Sequence, residues 1–398
     1  MLFLNNDDVR QVLTPDLTIE ALLDSYGQLD RGEAVIRPRI DINIPIGRPD
    51  AYFKWGTMEG GSATAGYFAS RIKIDIRYRT EYESEHDAIV SEEKYSTRPG
   101  LYCGLIVLVK TENAEPVAII NDSAIQRLRV GADAAIGTHY LARKDAEVLG
   151  FLGSGGMART QLASTLALRK NVRKVQVFSP TREHREAFAA EVRQKYEIEA
   201  VAFDNPADVY KGADVVAACS DGGFRDEENN ATLIGRYLEP GQHWTAVGGG
   251  ADSEAYRRTD VALRNGITSY PGGLAEWGKI GGSINYAVPA ENPKYADDRF
   301  YVASFAAPES VAVPSTGIVT QDSSRRGGDR LAKAIFLADL IAGRVEGRTS
   351  DEQITFSTSG GVQGAQFYPV AARVYELAKE RGIGRDVPTD WFLQDERD

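Results

Sequence analysis

Residues 148–160, VLGFLGSGGMART, set the apolar run Val148, Leu149, Phe151 and Leu152 directly before Gly153, Ser154, Gly155, Gly156, Met157 and Ala158. Ala158, Leu162 and Leu166 then recur at helical spacing. Strand, glycine turn and helix is an arrangement suited to a dinucleotide pyrophosphate. The first glycine permits the tight turn, the second admits the phosphates to the backbone, and the small third residue lets helix and strand pack closely. Free amides at the helix start, with the dipole behind them, favour an anion. On its own so short a motif reads equally well as a plain turn. A second candidate is Lys73, set with Arg71 and Asp75 between Ile72, Ile74 and Ile76. Burial there would lower its pKa and suit it to proton transfer; the competing reading is a solvated strand face with simple charge pairing. His86, His139, His184 and His243 share no ligand spacing, and Cys103 and Cys219 form no C-x-x-C, so no metal site is expected.

The elements that must position these residues fall into two grammars. TPDLTIEALLDSYGQLDRGE opens with a Thr-Pro start signal and sets Ile19, Leu22, Leu23, Tyr26 and Leu29 on one helical face. RIDINIPI and RIKIDIRY alternate isoleucines with polar residues, as half-buried strands do, and LYCGLIVLVK, the turn TENAEP and VAIIND read as a hairpin completing an antiparallel sheet. The charged stretch at 80–99 reads as a solvated loop or a lid over a site. From about residue 130 strands and helices alternate: after the opening unit come KVQVFSP, ADVVAACS, HWTAVGGG and DVALRNG. That rhythm implies a parallel, Rossmann-type sheet and raises the glycine turn to a cofactor site. The chain reads as irregular to about 327; Leu331, Ile335, Ala338 and Ile341 then mark a helix, followed by a strand at QITFSTSGG and a helix over about 367–381.

At 398 residues there is room for two domains. The net charge of −11 makes nucleic acid an unsuitable partner, since phosphate contacts need a concentrated basic face. No apolar run nears the roughly 20 residues that span a bilayer, and MLFLNNDDVRQVLT lacks the pattern of a signal peptide. A reducing cytoplasm is the expected location.

With these motifs in place, RVGADAAIGTHYLARKDAEVLGFLGSGGMARTQLAS, residues 129–164, resembles the joint between the two domains of the ornithine cyclodeaminase and mu-crystallin family. EAVIRPRIDI, RIKIDI, AIINDSAIQRLRVGADAA, ADVVAACS, GQHWTAVGGG and GRTSDEQITFSTSGG follow in that family's order. The resemblance implies an α/β protein with a Rossmann NAD(P)-binding domain, 130–334, inserted into an α+β substrate-binding and dimerisation domain, 1–129 and 335–398, acting as a homodimer. It implies hydride exchange between a nicotinamide and the carbon bearing an amino or imino group. By position Arg39, Lys73 and Arg129 match the cations turned toward the substrate carboxylate and reacting nitrogen; a planar arginine fork suits a carboxylate. Cys219, Ser220, Val247 and Gly248, which end the third and fourth strands, join the glycine turn as cofactor-binding residues. Ser179, Thr181 and Arg182 end the second strand where an NAD-selective domain carries an acid, so NADP(H) is favoured.

Two departures stand out. Gly250 occupies the place of an aspartate that many members carry, with Asp252 two residues on as the substitute carboxylate, and Gly364 and Ala365 stand where a Gln-Asp pair is usual. The leading reading is therefore an NAD(P)-dependent imine reductase or amino-acid dehydrogenase. The alternatives are an ornithine or lysine cyclodeaminase and a non-catalytic NADP-dependent binder like mu-crystallin.

Overall fold

The computed structural model describes residues 1–36, 40–48, 51–83, 88–220, 224–226, 229–247, 250–265, 282–285, 334–358 and 362–394. Among them the chain builds two large sheets. The first holds β1 (Leu2–Leu4), β2 (Ala34–Ile36), β3 (Ile40–Pro45), β4 (Ala51–Ser62), β5 (Tyr67–Glu83), β6 (Ala88–Tyr95), β7 (Cys103–Lys110) and β8 (Pro116–Asn121). It runs β3-β4-β5-β7-β8-β1, with β2 also on β4 and β6 also on β5. Strand β4 is a long antiparallel partner on which β3 and β5 both depend, and the alternation of apolar and polar residues does not announce it. Helix α1 (Asn6–Val12) and helix α2 (Pro15–Asp30) pack on this sheet. The Thr14 hydroxyl accepts from Leu17 N at the start of α2, with Pro15 beside it, as the Thr-Pro signal predicts.

The charged stretch at 80–99 is not a loop throughout. Residues up to Glu83 continue β5 and Ala88–Tyr95 return antiparallel as β6, with Ile76 opposite Tyr95 and Arg79 opposite Glu92. In the sequence of β5, Tyr78, Thr80 and Tyr82 alternate with Arg79, Glu81 and Glu83, a composition that suits a strand even where the mean hydropathy is low.

The second sheet is parallel throughout. It holds β9 (Val148–Leu152), β10 (Lys174–Phe178), β11 (Glu199–Ala202), β12 (Val215–Ala218), β15 (His243–Ala246), β16 (Val261–Arg264), β18 (Ile335–Phe336) and β19 (Thr355–Thr358), in the order β11-β10-β9-β12-β15-β19-β16-β18; β13 (Phe224–Asp226) and β14 (Asn229–Ala231) form a separate hairpin. Its strands alternate between two apolar cores. Leu149, Phe151, Val175 and Val177 face one, with Phe188 of α5 (Arg182–Tyr196); Leu152, Phe178, Val216, Trp244 and Phe356 face the other. The helix expected around Leu331–Ile341 is a two-residue strand, β18, and a short helix, Leu337–Ile341, with Leu331 outside the described residues. The strand in QITFSTSGG, expected with the first domain, is β19 and ladders between β15 and β16. Conversely β17 (Gly282–Asn285), inside the expected insert, pairs parallel with β3 of the first sheet. The helix Gly364–Glu380 returns to the first domain and buries Phe367, Val370 and Val374 there. No helix among the described residues is long and apolar enough to cross a membrane.

Helix α3 (Ser123–Leu141) joins the two units, and the expected boundary at 129/130 lies inside it. Its docking relies on missing side chains. A methyl on Gly131 would lie 2.5 Å from the carbonyl carbon of Thr160 in helix α4 (Gly156–Leu168), and one on Gly137 would overlap the Ser357 hydroxyl of β19. At its C-terminus the buried Arg169 guanidinium donates to the carbonyls of Thr138, His139, Ala142 and Arg143, and Arg348 Nε donates to Leu141 O at 2.8 Å. Cations there oppose the negative end of the helix dipole. Gly131→Ala must push α3 off a backbone rather than a flexible side chain. We expect it to cost about 1 to 3 kcal/mol, read as a lowered midpoint in urea unfolding.

Candidate active site

The glycine turn ends β9 at the point where the strand order reverses, with β10 and β11 on one side and β12 and β15 on the other. In open α/β sheets the ligand crevice lies there. Gly153 has φ of +116°, its N–H donates to Phe178 O at 2.7 Å, and a Cβ would meet Cys219 O of the adjacent strand end at 2.8 Å. Only glycine serves at that point. Gly155 is the N-cap of α4 and supplies no side chain to its amides; nothing lies within 4 Å of where its Cβ would be. Ala158 is fully buried, which lets α4 pack against the strands. An uncapped helix start, open space beside it and a small packing residue fit a dinucleotide pyrophosphate.

The neighbouring residues follow the same rim. Ser154 Oγ donates to Ser179 Oγ at 2.8 Å, joining the turn to the end of β10. Thr181 is the N-cap of α5 without a side-chain hydrogen bond to it, and Arg182 is exposed, with Nε 2.7 Å from Glu186 Oε1. Met157 lies in the first turn of α4, half-buried. Cys219 Sγ lies 3.2 Å from Gln161 Oε1, and burial pushes its thiol pKa up, so it is an inert wall rather than a nucleophile. Ser220 follows it, and Val247 N donates to Ala218 O at 2.9 Å. Gly248 lies outside the described residues.

Arg129 sits in α3, buried, with its guanidinium 4.8 Å from the Phe367 ring centroid. The same ring takes Arg71 at 5.0 Å, and Arg71 Nε donates to Asp122 at 2.7 Å. Lys73 lies two residues along the same face of β5, so the fold brings Lys73 and Arg129 into one region. In register Lys73 is flanked by Gly56 on β4 and Gly104 on β7, neither with a side chain to cover it. Its Nζ is 2.6 Å from Asp75 Oδ1 and donates to Cys103 O at 3.0 Å. Charge pairing along β5, the competing reading of this strand, is therefore present. Arg39 lies outside the described residues.

Behind Arg129 runs a buried chain that the sequence reading missed. Arg129 donates to Gln366 Oε1, Gln366 Nε2 donates to Tyr26 OH at 2.8 Å, and Tyr26 OH donates to Asp133, which also accepts from Asn265 Nδ2 at 3.0 Å. Gln126 accepts from the other nitrogen of Arg129 at 2.7 Å, while Nε is buried without a partner. Burial, then the charge of Arg71, pushes the Arg129 pKa down to about 9, and burial raises those of Asp133 and Tyr26. The signal available was one polar residue on each apolar helical face: Gln366 in AQFYPVAA and Asp133 in VGADAA. Gly364 has its own task, because a side chain there would overlap the Glu59 carbonyl of β4.

Asp252 does not stand in this region as a free carboxylate. It is the N-cap of α6 (Ser253–Arg258), buried, and its Oδ1 accepts from Ala255 N at 2.8 Å and Gly235 N at 2.9 Å. Two backbone amides hold its Oδ1. Among the described residues no cluster of His, Cys, Asp or Glu has the arrangement of a metal site.

Known proteins match this architecture. The model of the ornithine cyclodeaminase/mu-crystallin family matches residues 91–382. A Δ1-pyrroline-2-carboxylate reductase of Bacillus cereus is 25% identical over 288 residues, 71% of this chain and 74% of that protein. The Thermococcus litoralis Δ1-pyrroline-2-carboxylate reductase, solved with NADH and L-proline, superposes with a TM-score of 0.68 at 21% identity, over 97% of this chain and 100% of that one. An archaeal alanine dehydrogenase dimer with bound NAD gives 0.68 at 19% identity, over 98% and 99%. With a parallel dinucleotide-type sheet, a first domain drawn from both chain ends and a family match across most of its length, the chain belongs to the ornithine cyclodeaminase/mu-crystallin family.

Proposed function

We propose that the protein is an NAD(P)-dependent oxidoreductase that reduces an α-imino acid to an amino acid, or runs the reverse oxidation. The observation that carries the reading is α3. It holds the buried Arg129 guanidinium against the first domain and packs backbone to backbone on α4, whose uncapped start fits a pyrophosphate. The relatives act on, or are solved with, small amino or imino acids and NAD(H), which supports the same reading.

Arg129 would grip the substrate carboxylate with the donors that Gln366 and Gln126 leave over. Desolvation strengthens that grip. Lys73, held by Asp75 and the Cys103 carbonyl, would stand under the imine nitrogen and supply its proton, with Arg39 as a further carboxylate partner. When bound, the dinucleotide supplies the hydride to the C=N carbon; the side chains position that carbon and exclude water. Ser179, Thr181 and Arg182 favour a ribose 2′-phosphate, and hence NADP(H). The archaeal dimer supports a homodimer, which would pair through the first sheet, and two unpaired cysteines suit a reducing cytoplasm.

The test is consumption of NADPH with a cyclic imino acid such as Δ1-pyrroline-2-carboxylate. Ammonia released from ornithine without net nicotinamide turnover would replace this reading with a cyclodeaminase. Arg129→Lys keeps charge but loses the fork, and is expected to lower kcat/KM about tenfold or more while dinucleotide Kd stays unchanged. In the wild type the charged guanidinium exists below its pKa, so KM for the imino acid should rise as pH passes about 9. Arg182→Ala should weaken NADPH binding about tenfold and leave NADH binding unchanged. Asp252→Ala should cost about 1 kcal/mol of stability in thermal unfolding, as loss of a cap does, with kcat of the folded enzyme retained.

A further inference from the structure

Among the described residues, one cation beside the glycine turn has no protein partner. Arg127 is exposed and makes no hydrogen bond or ion pair among the described residues. It nevertheless lies over the start of α4: a methyl built on Gly156 would be 3.5 Å from Arg127 Nη1 and 3.6 Å from its Cδ and Cζ. Helix packing puts it there. Gly131 of α3 meets the Thr160 backbone of α4, and Arg127 and Gly156 each lie four residues, one turn, earlier on their helices.

The placement is unfavourable for the protein alone. A helix start carries partial positive charge and attracts anions, yet the first turn of α4 has no acidic residue and no side-chain cap. Arg159, the nearby cation of α4 itself, is neutralised by Glu191 at 2.6 Å. Arg127 is left with its charge toward uncapped amides, an arrangement that an anion between them would convert from repulsion to attraction.

We propose that Arg127 is a phosphate-binding residue for the dinucleotide, closing on the pyrophosphate from the substrate side of the cleft. The proposal rests on the dinucleotide reading above but not on the identity of the substrate. Because Arg127 and Arg129 belong to one helix, the element that would grip the carboxylate also reads whether the phosphates are in place.

The experiment measures Kd for NADH, ADP and adenosine by quenching of tryptophan fluorescence in the wild type, Arg127→Gln and Arg127→Lys, together with the melting temperature of each ligand-free protein. We expect Arg127→Gln to raise Kd for NADH and ADP about tenfold or more and to leave adenosine unchanged. Its ligand-free melting temperature should equal or exceed that of the wild type, since a repulsion has been removed, and Arg127→Lys should recover most of the NADH affinity. Unchanged NADH affinity in Arg127→Gln overturns the proposal, as does an equal loss for adenosine with a lowered melting temperature, the sign of a structural residue. A wild type that binds no dinucleotide overturns both this proposal and the cofactor reading. A wild type that binds NADH with Arg127 dependence but reduces no imino acid overturns only the reaction.

Discussion

The structure depends on the contact of α3 with the second sheet and α4. At Gly131 backbone meets backbone, and at Gly137 backbone meets the β19 hydroxyl row. Packed interiors tolerate little change in volume, so these contacts fix the rotation and height of α3 to within a fraction of a side chain. Everything that α3 carries inherits that placement: Arg129 toward the first domain, Arg127 toward α4, Asp133 toward Asn265 at the end of β16. Arg169 and Arg348 at the far end keep the helix from fraying where it hands the chain to β9. A hinge between the two units would need to break this helix or slide it, and neither is cheap.

The second cost is the burial of charge. Arg129 and Asp133 are both in the interior, and desolvating two ions is expensive unless their hydrogen bonds are made. The chain through Gln366 and Tyr26 makes most of them, and with one direction. Each donor on it has one acceptor, from guanidinium to amide to phenol to carboxylate, with Asn265 donating into the same end. Such networks specify geometry when complete and destabilise when partly filled. This one is incomplete at Arg129 Nε. Stability is given up at the group that the proposed reaction needs ready for a carboxylate, while Arg71, whose partner Asp122 is in place, takes no such part.

Legibility in the sequence followed the range of the forces involved. The glycine turn, the Thr14 cap and strands β9, β10, β12, β15 and β16 are set by residues a few positions apart and could be read locally, whereas the edge strands β11 and β18 were not read. Strand β4 and the β5–β6 ribbon were not read, because WGTMEGGS mixes glycines into the period and the charges of 80–99 suggested solvent where cross-strand pairing prevails. The placement of β19 between β15 and β16 was equally hidden, since strand order is a property of the whole sheet. At the candidate site, Lys73 and Arg129 were singled out through the family pattern as proposed substrate contacts. Tyr26, Asp133 and Gln366 were not: a single polar residue on an apolar helix means little until its partner arrives from more than a hundred positions away. Asp252 shows the converse. A carboxylate near a predicted strand end looks chemical in one dimension and proves to be bound to two backbone amides in three.

On the proposed reading, the two arginines of α3 use the same group in two ways. Arg127 is solvated, so leaving it unpaired costs little, and what it would gain from an anion would be correspondingly modest and open to screening by salt. Arg129 is desolvated, so its charge needs Asp133 behind it even though that carboxylate is reached only through two neutral side chains. In the proposed reaction the same desolvation would make its discrimination sharp. A substrate lacking a carboxylate would leave buried donors unmade, a larger penalty than any apolar misfit imposes. In the proposed reaction, selectivity for an acid would then come from the interior face of α3 and affinity for the dinucleotide from its exposed face and the start of α4. The helix between them has no slack with which to satisfy one and misplace the other.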